Sequence, residues 1–154
     1  MQSHWLMKSE PDEVSVDDLA RAPGQTLPWT GVRNYQARNF MRDAMQPGDG
    51  VLFYHSSCAL PGIAGLAQIA GRPAPDSTQF DPASPYHDPK STIDKPRWLQ
   101  IPVRLLRVTR LLTLAEMRAA PTLATMRVLQ RGNRLSITPV TADEWQAVID
   151  LLDA

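Results

Sequence analysis

Cysteine is nearly missing from this chain, with Cys58 the only one in 154 residues. One thiol excludes an internal disulfide and a thiolate zinc site. The histidines at positions 4, 55 and 87 lack the i, i+4 spacing of a helical metal site. Neither a phosphate-binding loop of the Gly-x-x-x-x-Gly-Lys type nor a dinucleotide fingerprint is present, since Gly62-Ile63-Ala64-Gly65 lacks the third glycine. No metal and no cofactor are therefore expected. Apolar runs fall well short of the roughly 18 residues that a membrane span needs, and the first residues do not have the form of a signal peptide. The expectation is a protein without membrane association, cytoplasmic, or nuclear if the source is eukaryotic. Net charge is missing too: 16 basic residues balance 16 acidic ones.

That neutrality conceals an uneven distribution. Residues 1–20 hold one lysine against five acids, and residues 143–154 hold four acids and no base. Between Lys95 and Ala142 stand nine basic residues against the single acid Glu116. Thirteen of the sixteen bases are arginine, whose planar fork suits phosphate and base edges. A neutral average can thus hide a basic face for nucleic acid, although ordinary surface ion pairs would use the same residues. Length, 43% hydrophobic and 21% charged residues fit one compact domain over residues 1–154.

Periodicity predicts short elements. His4 to Met7 reads as a strand, and Ser15 followed by Asp17 and Asp18 reads as a capped helix that Pro23-Gly24 ends. A second helix is expected over Tyr35 to Met45, with Ala37, Phe40, Met41 and Ala44 on one face. Val51 to Tyr54 and Ile63 to Ile69 read as strands. Trp98 to Leu112 is a longer one whose alternation slips near Leu105-Leu106, the mark of a bulge. Capping boxes at Thr113–Glu116 and Thr141–Glu144 open two more helices. From Pro73 to Pro96 the chain is an irregular excursion, either disordered or pinned to the body by Phe80, Tyr86 and Ile93.

Chemistry concentrates in Trp29-Thr30-Gly31-Val32-Arg33-Asn34-Tyr35-Gln36-Ala37-Arg38-Asn39. Aromatic rings stack on heterocycles, amides read base edges and guanidinium groups hold phosphates. Around it lie Met7-Lys8-Ser9-Glu10-Pro11, Gly48 to Ser56, Gly62 to Gly65, Phe80-Asp81, Tyr86-His87-Asp88-Pro89-Lys90, Trp98 and Gly132-Asn133-Arg134-Leu135-Ser136. In this order and spacing the set resembles the EVE domain family, from about Trp5 to about Leu151. The resemblance implies an α+β, PUA-like fold, a small, strongly bent mixed β-barrel flanked by short helices. It also implies a non-catalytic module that binds DNA or RNA carrying a modified base, with 5-methylcytosine among the candidates; the chain is expected to act as a monomer. An extruded or single-stranded base would be captured in an aromatic pocket.

Within that reading Trp29 and Trp98 are the stacking candidates, each with core filling as the alternative. Ser9, Asn34 and Tyr54 are candidate edge contacts. Asn34 could instead cap the following helix, and Arg33, a candidate phosphate contact, could pair with an acid such as Glu10. His55 is a candidate phosphate or base contact. Tyr86 belongs to a segment that could fold over a ligand or form a plain turn. Arg131 and Arg134 could flank a phosphate. A competing reading makes the chain a small enzyme using His55 with Cys58 or Asp88. Consecutive strand residues face opposite sides, however, which separates His55 from Ser56, and no nucleophile elbow is present. A third reading is a module whose aromatic pocket takes a peptide.

Overall fold

The computed structural model describes residues 2–154. Its strands are β1 (His4–Ser9), β2 (Thr26–Trp29), β3 (Gly50–His55), β4 (Gly62–Ile69), β5 (Ala74–Pro75), β6 (Leu99–Thr113) and β7 (Ile137–Val140). The helices are α1 (Val16–Arg21), α2 (Tyr35–Asn39), α3 (Leu114–Ala119) and α4 (Ala142–Asp153). The sheet runs in the order β2-β6-β4-β3-β1-β7, with β5 added beside β6. Among the described residues only β1 and β3 pair in parallel, so the sheet is mixed. The chain is α+β with short flanking helices. Among the described residues no pairing joins β2 to β7, and the expected barrel is an open sheet rather than a closed ring.

Bulges bend this sheet. Leu66 faces Arg107 while Ala67 faces Leu105, leaving Leu106 as an extra residue where the alternation slips. A second irregularity lies between Ile63 and Gly65, and a third between Phe53 and Tyr54. Gly62 and Gly65 permit the close approach of β4 to β6: a Cβ on Gly62 would meet the Leu112 carbonyl oxygen.

Helix starts follow their sequence signals. Ser15, Thr113 and Thr141 each cap a helix, with Asp18, Glu116 and Glu144 closing the reciprocal capping boxes. The helix expected over Tyr35 to Met45 differs in its second half. After Asn39 it widens into a π turn over Phe40–Ala44, and the Met45 N–H reaches back to the Phe40 carbonyl at 2.8 Å. The extra residue shifts the phase, so Met45 is buried where straight α-helical spacing places Ala44.

Two apolar clusters lie on opposite faces of the central strands, as the two-residue period requires. Met7, Val51, Phe53, Ile101 and Val103 meet α1 and α2 on one face. Leu6, Leu52, Tyr54, Leu66 and Leu112 meet α3 and α4 on the other. Among the described residues no helix is long and apolar enough to cross a membrane. No group of three or more His, Cys, Asp or Glu is placed there to hold a metal ion.

Candidate functional site

A cavity of about 380 Å³ opens on the α1 face of the sheet, within the about 300–1,000 Å³ range of ligand sites. Its apolar wall is built from Leu19, Leu27, Trp29, Val32, Phe53 and Val103. Ser9, Glu10, Glu13, Thr30, Ser56 and Arg134 bring polar groups to it. Trp29, the last residue of β2, lies edge-on to Phe53 with ring centroids 5.3 Å apart. The contact sets the indole's orientation, since edge-to-face aromatic pairs are geometrically selective.

The segment after Trp29 is held by a carboxylate from the long loop. Asp76, whose side chain is 0% exposed, accepts from the Gly31 N–H at 2.8 Å and from Arg33 Nη1 at 3.1 Å. It also accepts from the Thr78 N–H at 2.7 Å. Arg33 donates through Nε and Nη2 to the Tyr86 carbonyl at 3.1 and 2.7 Å, through Nη2 to Thr78 Oγ1 at 3.0 Å, and through Nη1 to the Val32 carbonyl at 2.9 Å. A guanidinium has five N–H donors, and these contacts with Asp76 engage all of them. Arg33 therefore fastens the loop to the body, and its hydrogen-bonding capacity is spent inside the protein.

Tyr86 is the residue so positioned, and its ring forms part of the cavity wall. Gly31 sits beneath it at φ +83°, where a Cβ would lie 3.0 Å from two atoms of the phenol ring. Only glycine adopts that backbone freely and leaves that space. The Tyr86 hydroxyl donates to Glu13 Oε2 at 2.5 Å, bridging the loop to the segment after β1. Burial, with the Glu13 hydrogen bond second, pushes the phenol up to about 12, so the proton remains on Tyr86 as donor.

The rest of the loop is ordered by buried polar side chains. Gln79, 0% exposed, donates to the Asp76 and Trp98 carbonyls and accepts from Ser91 Oγ and the Trp98 N–H. Trp98 is buried, donates from Nε1 to Asp88 Oδ2 at 2.8 Å and stacks under Tyr35 at 4.7 Å. It lies outside the cavity lining and anchors the loop. Ile93, expected as a pin, is 81% exposed. Tyr86 pins the segment through its ring on Gly31 and its bond to Glu13, and hydrogen bonds to Asp76, Gln79 and Asp88 hold the rest.

Of the ten residues singled out in the sequence, the fold brings Ser9, Trp29, Tyr86 and Arg134 to the cavity. Ser9 Oγ donates to the Val14 carbonyl at 2.6 Å. Asn34 caps α2, its Oδ1 accepting from the Ala37 N–H at 3.1 Å. Tyr54 points to the opposite face and packs in the α3–α4 cluster. Arg131 is exposed next to the Gly132 turn, away from the cavity lining. Phe53 and Glu13 line the cavity without having been singled out. Register could have found Phe53, because it pairs with Met7, two residues before Ser9, on the same face.

His55 follows Phe53 in parity but turns to α1, where its Nε2 accepts from the Val16 N–H at 3.1 Å. That bond requires the neutral ring with the proton on Nδ1, and burial lowers its pKa accordingly. Among the described residues His55 makes no hydrogen bond to Cys58 or Asp88, and the Asp88 carboxylate is already engaged with Trp98 and the Lys90 N–H. Basic residues without a carboxylate partner, among those described, include Arg104, Arg127, Arg131 and Arg134, whereas Arg107 and Arg110 are paired with Asp153 and Glu116.

The chain as a whole is similar to known proteins. A family model described as the EVE domain matches residues 3–151. Thymocyte nuclear protein 1 of Homo sapiens is 43% identical over 169 residues, covering 98% of this chain and 74% of the human protein. The crystal structure of human THYN1 protein in complex with 5-methylcytosine containing DNA matches with a TM-score of 0.91 and 43% identity, covering 99% of each chain. A hypothetical protein from Leishmania major matches with a TM-score of 0.94 and 42% identity, covering 99% of this chain and 96% of the other.

Proposed function

This chain belongs to the EVE domain family, and from that premise we propose that it is a non-catalytic reader that captures a modified base of DNA or RNA in the cavity beside Trp29. The observation carrying the reading is the cavity itself: an oriented tryptophan among aliphatic and aromatic side chains, with polar groups also in the lining. The human relative solved with DNA containing 5-methylcytosine points to a modified cytosine as the first ligand to try. We read the bent sheet as a PUA-like barrel left open between β2 and β7, acting as a monomer wherever the nucleic acid is, in the cytoplasm or a eukaryotic nucleus.

Stacking on Trp29 contributes about 1–3 kcal/mol per base, and extruding the base costs a few kcal/mol. The net affinity then rests on the backbone contacts as well. Arg134 at the cavity, with Arg131 nearby in sequence, supplies charge for the flanking phosphates. Arg33, with every donor engaged, acts by holding Tyr86 in place, and Asn34 by starting α2. A methyl group on the base would fill apolar space near Phe53 and Val103. Such a methyl is worth about 1–3 kcal/mol of selectivity.

Titration with matched oligonucleotides containing cytosine or 5-methylcytosine, at two salt concentrations, tests this reading. The expected result is tighter binding to the modified strand, weakening as salt rises, and a loss of about tenfold or more in Trp29→Ala. Absence of binding to every oligonucleotide at low salt would sink it.

A further inference from the structure

We propose that Glu13 is the specificity residue that accepts the exocyclic amino group of the captured base, so that the cavity selects an amino-bearing pyrimidine over its keto counterpart. This inference rests on the reader function proposed above and names the atom that distinguishes cytosine from thymine in the same pocket. Both bases can carry a methyl at carbon 5. They differ at carbon 4, where cytosine has an amino donor and thymine a carbonyl acceptor.

Glu13 lines the cavity, and its position is inherited from a chain of fixed contacts. Its Oε2 is held by the Tyr86 hydroxyl at 2.5 Å. Tyr86 in turn packs its ring on Gly31 and gives its carbonyl to Arg33, and both Gly31 and Arg33 are tied to buried Asp76. The side chain is thereby aimed by the fold although its surface is exposed. Among the described residues, Oε1 has no hydrogen-bond partner and Glu13 no ion-pair partner. Among the described residues Glu10, the other acid at the cavity, makes no side-chain hydrogen bond.

An ionised carboxylate only accepts hydrogen bonds. Facing an amino group it gains a charge-assisted bond; facing a carbonyl oxygen it meets lone pairs and partial negative charge. Glutamine in its place has both an acceptor and a donor and can satisfy either base by rotating. The selectivity therefore belongs to the charge state and donor count of the side chain, not to its volume.

Single-stranded DNA oligonucleotides differing at one central position, 5-methylcytosine, cytosine or thymine, give the test by equilibrium titration. The wild type is expected to favour 5-methylcytosine over thymine by about tenfold or more. Glu13→Gln brings that ratio near one, while its unfolding midpoint and its preference for 5-methylcytosine over cytosine stay close to wild type. Glu13→Ala checks the result with no hydrogen-bonding group present, and the ratio falls again. A wild type that prefers 5-methylcytosine to cytosine yet binds thymine equally well overturns the role of Glu13 and leaves the reader function standing. A Glu13→Gln protein that keeps the full preference over thymine does the same. No binding to any of the three strands removes the reader function and this inference together.

Discussion

The two faces of the sheet are closed by different physics. On one, Leu6, Leu52, Leu66 and Leu112 pack against Met117, Leu123 and Val148 from the C-terminal third of the chain. Those contacts are apolar, non-directional and tolerant of small shifts. On the other, α1 and α2 cover part of the sheet, and the rest is walled by a loop whose fixed points are the buried side chains Asp76 and Gln79. Hydrogen bonds in a water-poor setting are directional and costly to break singly. A greasy lid would fill the space beneath it, whereas a wall hung on a few polar anchors can stand clear and leave a cavity at its foot.

The contrast can be broken most forcefully at its two centres. Asp76→Ala leaves the Arg33 guanidinium short of its buried partner and frees the Gly31 N–H. It is expected to cost about 3–5 kcal/mol in denaturant unfolding, together with most of the affinity for oligonucleotides. Leu52→Ala, fully buried on the far face, is expected to cost about 2–5 kcal/mol and to leave affinity unchanged in protein that remains folded. If both variants lose affinity in proportion to stability, the faces do not act separately.

A milder intervention sharpens the same point. Gly31→Ala introduces a methyl that meets the Tyr86 ring and a side chain at φ +83°. A stability loss of about 1 kcal/mol or somewhat more is expected, and affinity should fall further than that loss explains, because the ring and Glu13 move with it. Equal affinity in this variant would show that the cavity does not depend on where Tyr86 stands.

The smallest effect lies in pH. His55 accepts from the first turn of α1 only when neutral, and burial lowers its pKa below the ordinary 6.5. The unfolded chain then binds a proton that the folded chain refuses. Stability is full above about pH 6.5 and declines as pH falls toward the folded value. His4, shifted the same way by burial, adds to the slope. In thermal unfolding from pH 7.5 to 5, His55→Gln should flatten part of this decline, because a glutamine amide can accept the same bond without titrating. An unchanged slope would place the acid sensitivity elsewhere.

What the sequence disclosed follows the range of the interactions involved. Capping boxes span four residues, so Thr113 and Thr141 announced their helices. The bulge at Leu106 was legible because the alternation breaks within β6 itself. Trp29 stood out by its neighbours, and it does line the cavity. Tyr54 was grouped with it through the motif set that carries the resemblance, although strand parity turns it to the other face and offers Phe53 instead. Asp76 and Gln79 look like ordinary loop residues. Their partners lie 45 and 19 positions away at Gly31 and Trp98, and no local pattern encodes such pairs. Arg33 and Asn34 were visible as polar, but polarity alone does not reveal that their donors and acceptors are already committed.

The bond from the Gly31 N–H to Asp76 also makes one backbone proton a clock. That amide can exchange with solvent deuterium only when the loop lets go of the strand end. Its protection, read against that of amides in β3, measures the free energy of peeling the wall from the sheet without unfolding the rest.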